Sequence, residues 1–266
     1  MQAALLRRLI AEAIGTMILV LFGAGAVVAA IAASGGAPIS YPALGMIALA
    51  FAFGIAIAIY AFGTVSGAHI NPVVTVGLAI VRRFPWAEVV PYLIAQAVGA
   101  VLAGLLIVAA FGSGATDFLT GGTELGTGVD WTRGIVAEAI GTFLLMLAVM
   151  ALAVDRRAPS GWAGLMIGLA IGTGILMVGP LTGGSFNPAR TFGPYVTTAM
   201  WGGTVPWNNF AVYLIGPLIG SVAAVLTYEL VARPERPGAA AQGTQGPVRG
   251  RKVPMPEDDQ PELRKR

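Results

Sequence analysis

Two asparagine–proline pairs, Asn71-Pro72 and Asn187-Pro188, are the residues whose type and spacing best suit a chemical role. Asparagine is a favoured N-cap because its side-chain oxygen accepts a backbone N–H of the first helical turn. Proline is favoured at the next position, where its missing N–H costs nothing. Each pair therefore predicts the start of a helix, and the simplest interpretation is that both asparagines are ordinary caps.

A second feature of these pairs is that the helices they begin are too short to cross a bilayer. The apolar run after Asn71 stops at Arg82-Arg83, and the run after Asn187 stops at Gly202-Gly203. Neither run has the ~20 residues that a spanning helix needs. Two half-length helices at matching places in the two halves of an apolar chain indicate a permeation site in a membrane.

Arg190 is the third residue that could act chemically, because it lies in the first turn after Asn187, where the helix dipole repels a cation. Ionisable groups within a membrane are costly and usually functional. The equivalent position of the first half is Val74, so the two halves differ where a one-sided selectivity element would lie. The alternative is a structural salt bridge, but no acidic residue of the apolar stretches is an evident partner.

The composition sets the class of protein in which these residues act. The chain has 266 residues, of which 56% are hydrophobic and 11% charged, and its mean hydropathy is +0.78. Soluble domains are about one quarter charged, so a polytopic membrane protein is predicted. The absence of cysteine excludes disulfides and thiolate metal sites, and one histidine alone supports no metal site. We expect no cofactor and no nucleic-acid partner.

The elements that position these residues are six stretches long enough to span a bilayer. They are residues 9–33, 41–63, 88–111, 132–154, 162–179 and 210–231. A half-length helix follows the second and the fifth. The predicted fold is therefore an all-α membrane protein with six transmembrane helices and two re-entrant half-helices. The predicted domains are a channel domain over residues 1–231 and a disordered cytoplasmic tail over residues 232–266, which is rich in Pro, Gly and charge.

An internal repeat relates the two halves, 9–111 and 132–231. The letters AEAIGT at residues 11–16 recur at residues 137–142, the Asn-Pro segments match next, and the letters YLI follow in both halves. Because three spans per repeat is an odd number, the second copy must enter the membrane from the opposite side. The two half-helices would then begin facing each other near the middle of the membrane.

The distribution of positive charge predicts the orientation. Of the 16 Lys and Arg residues, all except Arg133 and Arg190 fall on one side of the six-span arrangement. Cytoplasmic loops collect positive charge, so both termini are predicted to be cytoplasmic in a multi-pass plasma-membrane protein. The lipid bilayer is thus one expected partner, and the basic residues of the tail could touch its anionic lipids.

Over roughly Leu9 to Val231 the chain resembles the aquaporins, which form the major intrinsic protein family. The resemblance is carried by the paired Asn-Pro boxes, the AEAIGT repeat, SGAHINP and GGSFNPAR. It implies a passive channel that water and other small neutral solutes cross in file. It also implies that the NH₂ groups of Asn71 and Asn187 donate into the pore, and that the protein is a homotetramer with one pore per subunit.

The family resemblance defines two boxes. The first consists of Asn71, Pro72 and Val73, and the second of Asn187, Pro188 and Ala189. The usual third residue of each box is alanine. We expect Val73 to add bulk where the boxes pack without changing polarity, so the substitution should be tolerated.

The same resemblance implies that Arg190 is the filter arginine near the outer mouth, with Phe51, Ile175 and Gly184 beside it. Without the resemblance, these last three would be interpreted as ordinary packing residues. Strict water channels typically have His where Ile175 stands, so this filter should be wider and more apolar. Glycerol channels tend to have Trp at the position of Phe51 and Asp where Thr191 follows the arginine. The filter is therefore intermediate and most similar to that of archaeal aquaporins. A glycerol facilitator stays open as an alternative.

Three further polar residues have two interpretations each. His69 is either a pore-lining residue of the cytoplasmic half, as the family suggests, or a packed or capping residue. Glu12 and Glu138 either accept N–H groups from the loops before the half-helices, which is a structural role, or serve as the coupling groups of an ion-driven secondary transporter. An intramembrane enzyme is disfavoured because no credible catalytic set is available.

Overall fold

The computed structural model describes residues 4–232, and every regular element in that range is helical. The helices are α1 (Leu5–Ala33), α2 (Tyr41–Ser66), α3 (Pro72–Ile80), α4 (Val89–Phe111), α5 (Trp131–Val149), α6 (Ala163–Thr182), α7 (Pro188–Met200) and α8 (Phe210–Val231). Three 3₁₀ segments (Trp86–Glu88, Ser113–Gly121 and Trp207–Asn209) and one π-helical turn (Met150–Val154) complete the set. The second 3₁₀ segment is kinked, and its residues 118–120 are not helical. The tail predicted to be disordered lies, from residue 233 onward, outside the described residues.

Six of the helical segments, 20 to 29 residues long, are long and apolar enough to cross a membrane. The helices α3 and α7 have only 9 and 13 residues. The predicted all-α fold with six spanning helices and two half-helices is therefore confirmed. The predicted ends differ by a few residues, since α1 begins at Leu5 and α6 continues to Thr182.

The half-helices begin at their asparagines because those side chains cap them. The Oδ1 atom of Asn71 accepts the backbone N–H of Val73 at 3.0 Å. The Oδ1 atom of Asn187 accepts the N–H groups of Ala189 and Arg190 at 3.0 and 3.3 Å. These bonds satisfy donors that have no partner within the helix.

Both half-helices end two residues before a residue with left-handed backbone. After α3 this residue is Arg82, with φ 58°, and the N–H of Arg83 closes the turn on the Leu78 carbonyl at 2.8 Å. After α7 it is Gly202, with φ 76°, and the turn closes in the same way. Glycine is the usual residue at this position because it has no Cβ to clash.

Close helix crossings hold each repeat together at small residues. A Cβ atom added to Gly99 of α4 would lie 2.0 Å from the carbonyl oxygen of Ala13 in α1. At the corresponding crossing of α8 with α5, a Cβ atom on Gly220 would lie 2.2 Å from the carbonyl oxygen of Ala139. Backbones this close exclude any side chain, which is the packing typical of small residues in membrane helices.

One end of the bundle, where α1 begins and α8 ends, is named here the terminal end. Ion pairs join Arg8 to Glu88 at 2.7 Å and Arg83 to Glu229 at 3.2 Å. The hydroxyl of Tyr228 donates to Asp155 at 2.7 Å. The Arg157 guanidinium beside Asp155 holds the pKa of that carboxyl well below its usual range. The basic pairs at 7–8, 82–83 and 156–157 therefore lie at the terminal end.

Candidate permeation site

A cavity of about 350 Å³ passes from the terminal end to the middle of the bundle. Its wall includes Arg83 and Arg156 at the terminal end, both asparagines, and Arg190. A second cavity opens at the other end and is lined by residues such as Asp117, Glu124, Gly122, Gly183 and Pro206. The two cavities come close at adjacent residues, since Gly184 lines the first and Gly183 the second.

At the centre, each asparagine is bonded to the loop of the other repeat. The Nδ2 of Asn71 donates to the Phe186 carbonyl at 2.8 Å, and the Nδ2 of Asn187 donates to the Ile70 carbonyl at 2.9 Å. A side-chain amide has two N–H donors. One of them is used across the repeats, so the second N–H of each asparagine is available to a molecule in the cavity.

The starts of α3 and α7 both lie at this centre, because their capping residues Asn71 and Asn187 line the same cavity. The N-terminus of a helix carries roughly half a positive charge. Two such ends at one place disfavour a cation there, whereas a neutral molecule with a lone pair is accepted.

Buried glutamates support both loops. The carboxylate of Glu12 accepts the N–H groups of His69 at 2.9 Å and Ile70 at 2.7 Å. In the second repeat, the carboxylate of Glu138 accepts the N–H groups of Ser185 at 2.9 Å and Phe186 at 2.7 Å. These are the contacts that the structural interpretation of the glutamates requires. Within residues 4–232, neither glutamate is among the residues that line the cavity.

Ile70 and Phe186 occupy the same strained position in the two loops. Their φ angles are 45° and 54°, a left-handed conformation that costs a non-glycine residue roughly 1–2 kcal/mol. Each residue is fixed on both sides, because its N–H is bound by a glutamate and its carbonyl by the opposite asparagine. The left-handed conformation directs both carbonyl groups toward the centre of the molecule, where the asparagines lie.

Arg190 is fully buried, with 2% of its surface exposed. Its Nη1 atom donates to the Gly121 carbonyl at 2.9 Å, and its guanidinium carbon lies 4.8 Å from the centroid of the Phe51 ring. A cation over an aromatic face at this distance is attracted to it. No carboxylate of the described residues lies within ion-pair distance of Arg190, which agrees with the lack of an evident partner in the sequence.

Of the four filter residues predicted from the resemblance, Phe51, Gly184 and Arg190 line the cavity together. Ile175 is buried next to Gly184, since a Cβ atom on Gly184 would lie 3.2 Å from its Cγ1, and it is not among the lining residues of this cavity. Val73 is also buried, and its carbonyl accepts the hydroxyl of Ser221 at 2.7 Å.

His69 lines the cavity and is held by a buried polar chain. Its Nδ1 lies 3.1 Å from the hydroxyl of Thr75. The Nε2 of Gln96 donates to that hydroxyl at 3.1 Å and to the carboxylate of Glu12 at 2.9 Å. Sequence reasoning missed Thr75 and Gln96, because a single polar residue in an apolar helix gives no signal of its distant partner.

Much of the cavity wall is apolar and was not predicted. It includes Leu19, Ile55, Val74, Leu78, Leu145 and Ile171. Such residues give no signal in the sequence, because apolar side chains facing a cavity and facing lipid look alike.

Comparisons with known proteins agree with this arrangement. A family model described as major intrinsic protein matches residues 1–228. The chain is 47% identical over 241 residues to aquaporin AqpM of Methanothermobacter thermautotrophicus, covering 86% of this chain and 98% of that protein. It is also 47% identical to the probable aquaporin AqpM of Archaeoglobus fulgidus, covering 88% and 100% of the two chains.

More distant relatives include aquaporin NIP1-1 of Oryza sativa subsp. japonica, which is 37% identical over 87% of this chain and 76% of its own. Among solved structures, the aquaglyceroporin of Plasmodium falciparum matches with a TM-score of 0.73 and 25% identity. That match covers 87% of this chain and 98% of the other.

Proposed function

The chain belongs to the major intrinsic protein family, and from that premise we propose that it is a passive plasma-membrane channel for water and other small neutral solutes. The observation that carries the proposal is that Asn71 and Asn187 line one cavity at the starts of two half-helices. Solutes pass in file between the filter residues Phe51, Ile175, Gly184 and Arg190, and then across the two asparagines.

The chemistry of this route favours neutral molecules. A water molecule at the centre accepts hydrogen bonds from the free N–H groups of Asn71 and Asn187, so its oxygen is occupied and it does not relay a proton onward. The two helix starts and the buried guanidinium of Arg190 repel cations. The apolar wall binds solutes weakly, which allows them to leave.

A glycerol facilitator is the second candidate, and the observation that favours it is the wall at Gly184. This residue contributes no side chain to the filter, and its nearest neighbour at that place is the apolar Ile175. The likeness to the solved structure of an aquaglyceroporin supports the same candidate. Water and glycerol conduction therefore have to be measured side by side.

The orientation and the assembly are also proposals. The basic pairs at the terminal end support a cytoplasmic location for both termini, because positive charge collects on that side. Family membership supports a homotetramer. The cavity is lined by residues of this single chain, which supports one pore per subunit.

The test is osmotic stopped-flow light scattering on proteoliposomes, with shrinkage in an impermeant solute compared with reswelling in glycerol. Fast shrinkage without reswelling indicates a water channel, and fast reswelling indicates a glycerol-type channel. If neither is accelerated over protein-free vesicles, the open-channel proposal is wrong. Flux that depends on an imposed proton or sodium gradient would support the transporter alternative and return attention to Glu12 and Glu138.

Because the chain contains no cysteine, one introduced thiol can show whether the described cavity is the route. Val74 lines the cavity, whereas Val98 of α4 is half exposed on the outer surface of the bundle. We expect a thiol-specific reagent to block water flux through Val74→Cys and to leave Val98→Cys and the unmodified chain unchanged. Block of all three, or of none, contradicts the proposed route.

A further inference from the structure

Gly23 of α1 lies over the Phe51 ring, next to its Cε1 atom. A Cβ atom added to Gly23 would lie 2.1, 2.3 and 2.5 Å from the ring atoms Cε1, Cδ1 and Cζ. Carbon atoms in contact normally lie about 3.5–4.0 Å apart. Phe51 in its present position therefore requires a residue without a side chain at position 23.

Room for the ring, and not backbone conformation, explains this glycine. Gly23 lies in the interior of α1, a regular helix, where glycine is about 1 kcal/mol less favourable than alanine. A helical backbone accepts alanine readily, so the contact that distinguishes the two residues is the contact with Phe51.

The Phe51 ring that contacts Gly23 also borders the permeation site. Phe51 lines the cavity, and the guanidinium carbon of Arg190 lies 4.8 Å from the ring centroid. Phe51 is otherwise enclosed, with 2% of its surface exposed. A group that pushes the ring away from α1 therefore pushes it toward the cavity.

In the second repeat, the residue that corresponds to Gly23 is larger than glycine, and the residue that corresponds to Phe51 is smaller than phenylalanine. Counted from the two buried glutamates, Gly23 corresponds to Val149; counted from the two capping asparagines, Phe51 corresponds to Ile167. Val149 and Ile167 line the same cavity, nearer the terminal end. Glycine thus accompanies the large ring, and valine accompanies the smaller side chain.

We propose that Gly23 is a positioning residue that sets the width of the filter by letting the Phe51 ring stand back from the lumen. The proposal rests on the proposed function, in which Phe51 and Arg190 form the narrow part of the route. It extends the selectivity determinant to a residue of α1 that does not touch the solute.

The test compares Gly23→Ala with Gly25→Ala in proteoliposomes. Gly25 is a matched control on the same helix, because a Cβ atom there would meet only the Cγ1 of Ile107, at an ordinary 3.7 Å. The readout is the permeability to a test solute divided by the permeability to water. The test solute is the largest of methanol, ethylene glycol and glycerol that the unmodified channel passes. We expect Gly23→Ala to lower the ratio of that solute to water about tenfold, the effect of one misplaced carbon in a fitted pocket. Gly25→Ala should leave it unchanged.

Two further variants separate the possible failures. Phe51→Leu alone should raise the ratio, and Gly23→Ala combined with Phe51→Leu should give a ratio no lower than that of the unmodified channel, because the smaller side chain makes room for the added methyl group. If Gly23→Ala alone does not fold, the double variant still tests the contact between positions 23 and 51.

If Phe51→Leu changes the ratio but Gly23→Ala leaves it equal or higher, the proposed positioning role of Gly23 is wrong. The assignment of Phe51 to the filter is then retained. A ratio in the double variant as low as in Gly23→Ala also overturns the role of Gly23. If no Phe51 variant changes the ratio, the filter assignment itself is wrong, which is a failure of the proposed function.

Discussion

The side-chain amide of Asn71 donates a 2.8 Å hydrogen bond to the carbonyl of Phe186, a residue 115 positions later in the chain. The bond from Asn187 to Ile70 repeats this contact at 2.9 Å. Each asparagine thus caps its own half-helix with Oδ1 and joins the opposite repeat with Nδ2. The residue pair that lines the cavity therefore also forms hydrogen bonds between the two repeats.

Replacing Asn71 with serine separates these two tasks. Serine is an equally good N-cap but lacks the second donor, so the Phe186 carbonyl loses its partner. We expect Asn71→Ser to lower the free energy of unfolding by about 0.5–1.5 kcal/mol, measured by thermal unfolding in detergent. The control is Asp130→Ser, a second N-cap swap at the start of α5, where Asp130 accepts the N–H of Arg133. Equal losses in the two variants would show that the cap, and not the contact between repeats, is responsible.

Glu138→Gln tests the support beneath the second loop. Both carboxylate oxygens of Glu138 accept hydrogen bonds, from the Thr182 hydroxyl and from the N–H groups of Ser185 and Phe186. Glutamine presents an NH₂ group to one of these donors, so we expect a loss of about 1–3 kcal/mol in stability. The exposed Glu124→Gln is the matched control and should change little. A gradient-dependent flux that disappears in Glu138→Gln without loss of stability would favour the transporter alternative.

Arg190→Val gives the second repeat the residue that the first repeat has at Val74. It removes a buried positive charge beside the route while leaving both helix dipoles in place. We expect proton or cation leak to rise roughly tenfold or more, as about 1.4 kcal/mol of lost repulsion would give, with water flux retained. A pH-sensitive dye in proteoliposomes under an applied voltage measures the leak. Arg133→Val, which removes an exposed charge at the end opposite the terminal end, should have no such effect; equal leak in both variants contradicts the filter role.

Arg82→Gly tests the strained turn after α3. Arg82 has a left-handed backbone where the equivalent turn after α7 has Gly202. Glycine removes the steric cost of that conformation, so we expect a gain of up to about 1 kcal/mol in stability, and a loss of similar size for Gly202→Ala. Both are read from thermal unfolding in detergent. A loss in Arg82→Gly would show that the arginine side chain makes a contact worth more than the strain.

The central residues were predictable because local pattern fixes them. An Asn-Pro pair favours the start of a helix, and the repeat places two such starts opposite each other, so Asn71 and Asn187 could be assigned to one site. The family resemblance added Arg190. The cavity wall could not be predicted in this way. Ile55 lines the cavity, whereas Ile57, two residues along the same helix, is 60% exposed on the outer surface. A membrane helix offers no polar face to tell the two apart.

The contacts missed by sequence reasoning depend on how helices cross. Gly23 meets Phe51 only because α1 packs on α2, and Gln96 reaches Thr75 only because α4 lies beside α3. Helix ends were missed for a local reason. The turn at Arg82 needs a left-handed residue, and arginine gives no sign that it will adopt that conformation.

The crossed bonds of the two asparagines also bear on biosynthesis. The ribosome delivers α1 to α4 to the membrane first, and at that stage the side-chain amide of Asn71 and the carbonyl of Ile70 have no partners, since Phe186 and Asn187 follow 115 and 117 residues after them. Until the second half is translated, the re-entrant loop of the first half lacks these two hydrogen bonds. The two crossed hydrogen bonds at the centre therefore form only after both halves have been translated.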